Sequence, residues 1–180
     1  LLDSWSAVED LVHAWPEETW VLKYPIGSGG AGHRLLGHDP VEPRDWPRPF
    51  LVQRFVRMER PEVFRLFGVA GEIFGFNARR FPEGTPTSPW VAHALGARYE
   101  VIRDTPEEAV DVARRALAAT ELLSSFGCVD LVHDGQRWLA LEVGTDGANG
   151  HVDRDLDNAA LERELDERYA KAFWDWAKTP

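Results

Sequence analysis

The chain has 180 residues, of which 44% are hydrophobic and 28% charged, an ordinary globular composition that excludes a disordered chain and suffices for one core or two small subdomains around a cleft. Its formal net charge of −10 argues against a general affinity for nucleic acid or acidic lipid, and no apolar run approaches the roughly 20 residues of a membrane-spanning helix. Cys128 is the only cysteine, so an internal disulfide and a thiolate metal cluster are both excluded, and a buried small hydrophobe in a reducing, cytoplasmic compartment is expected.

Residues 4–14 read as a short helix capped by Ser4 or Ser6, with Leu2, Val8, Leu11 and Val12 as its apolar stripe and Pro16 as its stop. A strand follows over residues 20–24 and carries Lys23 near its end. Pro25 stops it, and Gly27, Gly29, Gly30 and Gly32 follow around Ser28. Glycine lets backbone N–H groups approach a ligand closely, so this turn fits a nest for an anion, and phosphate suits the adjacent lysine best. It fits equally a flexible glycine hairpin with a surface lysine, for which Arg34, Leu35 and Leu36 would supply the return strand.

Residues 37–49 hold Pro40, Pro43 and Pro47 and read as loop. Residues 50–57 are β-prone without clean alternation, the pattern of a strand covered on both sides. Residues 63–69 and 72–79 flank Ala70-Gly71 as a hairpin. A two-residue turn there pairs Val69 with Glu72, Phe67 with Phe74 and Arg65 with Phe76, which puts Arg79 on the face opposite Phe74 and Phe76. Residues 81–89 read as loop and 98–102 as a short strand.

A second helix is predicted from Thr105, with Thr105 as cap, Pro106 in the first helical position and Glu108 three residues on. Val110, Ala113 and Leu117 form its core stripe, Leu122 or Leu123 extends it, and residues 124–127 end it. Two further strands, 128–133 and 137–143, surround Asp134-Gly135. Leu161, Leu165, Tyr169 and Phe173 recur at helical spacing in a last helix over about 156–176. Hairpins mixed with helices make the fold class α+β.

Asp130 and Glu142 each sit inside an apolar strand, where a carboxylate needs a partner or a cation. Together they can hold Mg²⁺, which prefers oxygen ligands; singly, each reads as a solvated acid. Register decides. A strict two-residue turn pairs Asp130 with Leu139 and turns Glu142 away, whereas a three-residue loop or a bulge pairs Asp130 with Ala140 and puts both carboxylates on one face, diagonally placed. Asp146 and Asn149, in the glycine-rich turn that follows, are further candidate oxygen ligands, and His151 is a lone polar-loop histidine.

Taken in order, these segments resemble an ATP-grasp domain of the carboxylate–amine ligase kind, over roughly residues 18–155. Val21-Leu22-Lys23 and the glycine turn resemble the phosphate-binding strand and loop. Leu51 to Val56 resembles the hinge that reads adenine, through Gln53, Arg54, Phe55 and Val56, with Glu59 or Glu62 for the ribose. Arg65 fills an arginine place in the following strand, and Arg79 resembles the arginine that holds phosphate and the acyl phosphate. Gly127-Cys128-Val129-Asp130 and Leu141-Glu142-Val143-Gly144 resemble the segments that carry the magnesium ligands. The resemblance implies a small glycine-loop subdomain over 1–57 and a larger antiparallel-sheet subdomain with flanking helices over 58–180. It implies an ATP-dependent, Mg²⁺-requiring ligase that joins a small-molecule or peptide carboxylate to an amine through an acyl phosphate, with no nucleic-acid or membrane partner. Lys23 and Arg79 would be its catalytic residues.

Three departures accompany the resemblance. Gly144 stands where the family has a metal-binding asparagine, Val63 where it has an acid, and Arg54 where the hinge has glutamate. The family's upstream substrate domain is expected to lie before Leu1. A degenerate nucleotide-binding module without catalysis, and a non-enzymatic α+β interaction domain, are the alternatives.

Overall fold

The first helix begins where a side chain can close its end. In the computed structural model, which describes residues 1–26, 29–145 and 159–178, Ser4 accepts a hydrogen bond from the Ala7 amide at 3.2 Å and caps α1 (Trp5–Ala14). That bond satisfies one of the donors a helix N-terminus leaves open. Trp5 and Val8 pack with Leu22 and Phe50. Leu22 comes from the central strand of an antiparallel three-stranded sheet, order β2-β1-β3, formed by β1 (Trp20–Lys23), β2 (Arg34–Leu36) and β3 (Leu51–Arg54). Since strand side chains alternate, Val21 and Lys23 point away from the face that carries Leu22.

The strand expected over residues 50–57 is shorter than that, and among the described residues it lies at the edge of its sheet, next to β1. Leu51, Val52 and Gln53 are half-buried, and exposed Arg54 meets Glu18 at 3.2 Å.

A second antiparallel sheet has the order β6-β5-β4-β7-β8. Its strands are β4 (Glu62–Val69), β5 (Glu72–Arg80), β6 (Arg98–Val101), β7 (Phe126–His133) and β8 (Trp138–Gly144). Ala70 (φ 49°) and Gly71 (φ 88°) form the tight turn between β4 and β5, the left-handed geometry that suits twisted strands. One face of this sheet buries Phe64, Leu66, Phe76, Ala78, Val129 and Leu131 against Ala109, Ala113 and Leu117 of α2 (Glu107–Ala119). Leu117 sits on two glycines. A Cβ on Gly127 would lie 3.0 Å from it, and one on Gly68 would overlap it. The other face carries Phe67, Phe74 and Cys128, packed with Tyr169 of α3 (Ala159–Ala177).

Two helix boundaries differ from the sequence reading. Helix α2 starts at Glu107, with Pro106 at its cap and no side-chain bond from Thr105. Pro106 has extended backbone (ψ 131°), and its carbonyl accepts from the Ala109 and Val110 amides instead. The helix also ends at Ala119, before Leu122, because Glu121 adopts a left-handed φ of 61°. In α3 the spaced apolar residues divide: Tyr169 packs on the sheet, whereas Phe173 is 57% exposed.

The chain divides into two compact units, Leu1–Arg57 and Met58–Pro180. Cys128 is buried and forms no disulfide. No helix among the described residues is long and apolar enough to cross a membrane.

Candidate active site

In the first unit, Lys23 lies opposite Leu51 and next to the Val21–Gln53 pair. Its Nζ donates to Gln53 Oε1 at 3.4 Å. Beyond it, Gly29, Gly30 and Gly32 all take positive φ (65°, 74° and 79°), which L-residues adopt only at a cost. Gly32 also packs so near Tyr24 that an added Cβ would lie 3.0 Å from the Tyr24 Cβ. The Tyr24 amide donates to His33 Nδ1 at 3.4 Å. Burial, and then the charge of Lys23, push the His33 pKa below its ordinary value of 6.5. Gly27 and Ser28 lie outside the described residues. Phe55 and Val56 continue the chain past β3, and the Phe55 amide donates to the Thr19 carbonyl at 2.7 Å.

In the second unit, charge gathers on the sheet face that bears Phe67 and Cys128. Register places Glu142, Asp130, Arg65 and Asn77 in one transverse row across β8, β7, β4 and β5. Arg65 grips Asp130 with two bonds, Nε to Oδ1 at 2.6 Å and Nη2 to Oδ2 at 3.1 Å. Arg79 adds a third, Nη2 to Oδ2 at 3.0 Å, and donates through Nη1 to the Tyr99 hydroxyl at 3.2 Å. Asp130 is 4% exposed and each arginine side chain 16%. Burial alone disfavours the Arg65 charge, but the hydrogen bonds and charge of Asp130 outweigh it and hold its pKa above the ordinary value. Removing one member of so buried a cluster typically costs about 3–5 kcal/mol, because the remaining charge is left uncompensated.

The cluster is not fully satisfied. Arg79 Nε and Asn77 Oδ1 are buried without a hydrogen-bond partner among the described residues. Buried polar atoms usually have one.

Two irregularities build this arrangement. The β7–β8 loop spans residues 134–137, His133 pairing with Trp138, and this even-numbered loop alone would turn Glu142 away from Asp130; the register then shifts between Asp130 and Leu131. That bulge puts the two carboxylates on one face, as the sequence reading required of a bulge, but directly opposite rather than diagonal. The second irregularity corrects the sequence reading. Arg65 pairs with Asn77, not Phe76, because the β4–β5 register shifts between Arg65 and Phe67. Gly75, at φ 71°, supplies the extra residue. Arg79 therefore shares a face with Phe74 and reaches Asp130, while Phe76 turns to the α2 side. An isolated glycine inside a strand is a bulge signal, and it was the one cue that could have revealed this contact.

Other candidates are engaged elsewhere. Glu62 binds Arg80 Nε at 2.5 Å, and Arg80 also reaches Glu100 at 2.9 Å. Glu59 follows the unit boundary. Gly144 pairs with Cys128 in β8 and has no side chain to offer. Asp146, Asn149 and His151 lie outside the described residues. Neither Asn77 nor Tyr99 was marked by sequence, since an amide in a strand and a tyrosine in a short edge segment carry no pattern of their own.

No protein-family model matches the chain, and no curated protein does. Its fold does match solved structures. D-alanine–D-alanine ligase from Bacillus anthracis aligns with a TM-score of 0.55 and 16% identity, over 94% of this chain and 55% of that one. The same ligase complexed with ATP gives 0.57 and 14%, over 98% and 59%. The macrocyclase MdnB from Microcystis aeruginosa MRC gives 0.55 and 16%, over 99% and 52%. The chain thus spans between 52% and 59% of the length of these structures. At such identities the likeness is one of fold: this α+β architecture is of the ATP-grasp type.

Proposed function

We propose that this chain, which has the ATP-grasp fold, is the nucleotide-binding portion of an ATP-dependent carboxylate–amine ligase. One observation carries the reading: Arg65 and Arg79 converge on Asp130, with Glu142 directly opposite it, on one face of the larger sheet. A nucleotide's phosphates and their cation call for such a set of arginines and acids.

On this reading residues 1–57 form the small subdomain and 58–180 the larger one. Lys23 and the glycine turn take phosphate oxygens, through a mobile ammonium and backbone N–H groups. The backbone over Gln53, Arg54, Phe55 and Val56 reads adenine. Glu59 serves the ribose better than Glu62, which already holds Arg80. Arg79 is held at Nη1 and Nη2, and its Nε has no partner among the described residues, so it can donate to a phosphoryl oxygen without giving up its positioning bonds.

Asp130 and Glu142 fit magnesium as donors, being hard oxygen ligands placed cross-strand; Asp146 and Asn149 are the further candidates. Bound there with the nucleotide, magnesium would neutralise phosphate charge. Asp130 also accepts from both guanidinium groups, which fix its orientation for such a cation.

The chemistry is a double displacement. A substrate carboxylate oxygen attacks the γ-phosphorus in line, the bond to the ADP oxygen breaks, and an acyl phosphate forms. A neutral amine then attacks the acyl carbon, phosphate leaves and the amine proton is lost, giving an amide. Arg79 and Lys23 act by stabilising charge that grows in the transition state. The names of the fold relatives, a D-alanine–D-alanine ligase and a macrocyclase, favour amino-acid or peptide substrates.

Calorimetric titration of ATP into the longest natural form of the protein tests this. Binding is expected with Mg²⁺ and not without it, and Lys23→Ala or Glu142→Ala should weaken it by about tenfold or more, the scale of a lost charged contact. Absence of binding in the intact protein overturns the reading. ADP release that requires both a carboxylate and an amine then separates a ligase from a module that only binds nucleotide. Gly144 favours that second reading, because it removes one side-chain donor from the metal segment.

A further inference from the structure

His13, His38 and Asp39 take no part in the nucleotide reading, yet the fold of the first unit gathers them. His13 stands in the last turn of α1. His38 and Asp39 follow just past β2. All three are exposed, and one ligand-capable atom from each lies within 4.8 Å of the others. The two imidazole rings meet edge to face, with centroids 5.4 Å apart. The buried apolar cluster of this unit, Trp5, Val8, Leu22 and Phe50, includes none of them, so packing of the core does not require their convergence.

We propose that His13, His38 and Asp39 form a surface site for a divalent transition-metal ion, with Zn²⁺ the ion its donors suit best. Two imidazole nitrogens and a carboxylate oxygen match the mixed donor sets that zinc takes, whereas magnesium and calcium prefer oxygen throughout. Zinc bonds of about 2.0–2.1 Å in tetrahedral geometry put ligand atoms about 3.4 Å apart. The observed spacing closes to that by rotation of exposed side chains, with no demand on the core. Three protein ligands leave the fourth position to water. A bound ion would tie the C-terminal turn of α1 to the segment after β2, and so stabilise the folded unit by mass action. The site shares no residue with the proposed nucleotide site, so either can fail without the other.

The test is calorimetry of Zn²⁺ into the intact protein, paired with thermal unfolding in Zn²⁺ or Mg²⁺ and with the visible absorption of bound Co²⁺. One equivalent of Zn²⁺ is expected to bind and to raise the unfolding midpoint, while Mg²⁺ leaves it unmoved. His13→Ala and His38→Ala should each weaken binding by about tenfold or more and Asp39→Asn by less, since a first ligand matters at least as much as the groups that orient one. Each variant should keep the metal-free midpoint, because all three side chains are exposed. Zinc binding that survives both histidine substitutions belongs to other histidines and overturns the site. So does the absence of a one-to-one complex, or a Co²⁺ spectrum of purely octahedral type that the substitutions do not change.

Discussion

Arg79 has three guanidinium nitrogens, of which two have partners and Nε, though buried, has none among the described residues. A purely structural ion cluster would gain by satisfying that donor, so its vacancy favours a ligand that supplies a hydrogen-bond acceptor. His33 makes the matching point in the other unit. Its Nδ1 accepts from the Tyr24 amide, which only the neutral ring can do there. Burial and then Lys23 lower its pKa in the fold. The unfolded chain therefore binds the proton more readily, and the sign follows. This contribution to stability is complete above the ordinary value of 6.5 and fades as pH falls through the lower value of the folded state. Acidification below that range should destabilise the protein less in His33→Gln than in the parent. NMR titration of the ring should also show Lys23→Met raising its pKa. Equal acid limbs in parent and variant, with no change on removing Lys23, would sink this account.

At the scale of elements, hydrophobic patterning located the strands and helices, and glycine chemistry decided what they present. The Ala70-Gly71 hairpin and its Val69–Glu72 and Phe67–Phe74 pairs follow from turn chemistry that is written locally. The rest of that hairpin does not, because one residue inserted at Gly75 turns every later side chain to the other face. Arg79 was thus legible as a candidate, but its meeting with Asp130 was not. The α2 boundaries were missed for a similar reason: a cap and a left-handed stop are backbone choices that Thr105 and Glu121 do not announce. Gly75 and Gly68 can now be set against each other. Gly75→Ala puts a side chain at φ 71°, a strain of about 1–2 kcal/mol, or it expels the bulge and turns Arg79 from Asp130. Gly68→Ala pushes Leu117 on the opposite face and should cost about 1–3 kcal/mol as overpacking, with the charged row intact. Denaturant unfolding alongside ATP titration distinguishes them. Both variants should lose stability, and only Gly75→Ala should lose nucleotide affinity beyond what its unfolded fraction explains. Equal losses of affinity would mean that the bulge does not position Arg79.

For the whole molecule, the boundary between Arg57 and Met58 separates the two sets of phosphate-binding candidates. Lys23 and the glycine turn belong to the first unit; Arg65, Arg79, Asp130 and Glu142 belong to the second. If one nucleotide is held by both, the two sets must report on each other through it, although each folds around its own apolar cluster. A double-mutant cycle measures this directly. Lys23→Ala and Arg79→Ala should each weaken Mg·ATP binding, and their combined effect should depart from the sum by about 0.5–3 kcal/mol, the range for groups that share a partner. The same substitutions should add simply in the nucleotide-free unfolding free energy, where no shared partner joins them. Strict additivity in both measurements would mean that only one unit engages the phosphates. The glycine turn would then be the hairpin that its sequence equally allows, and the site would rest on the larger sheet alone.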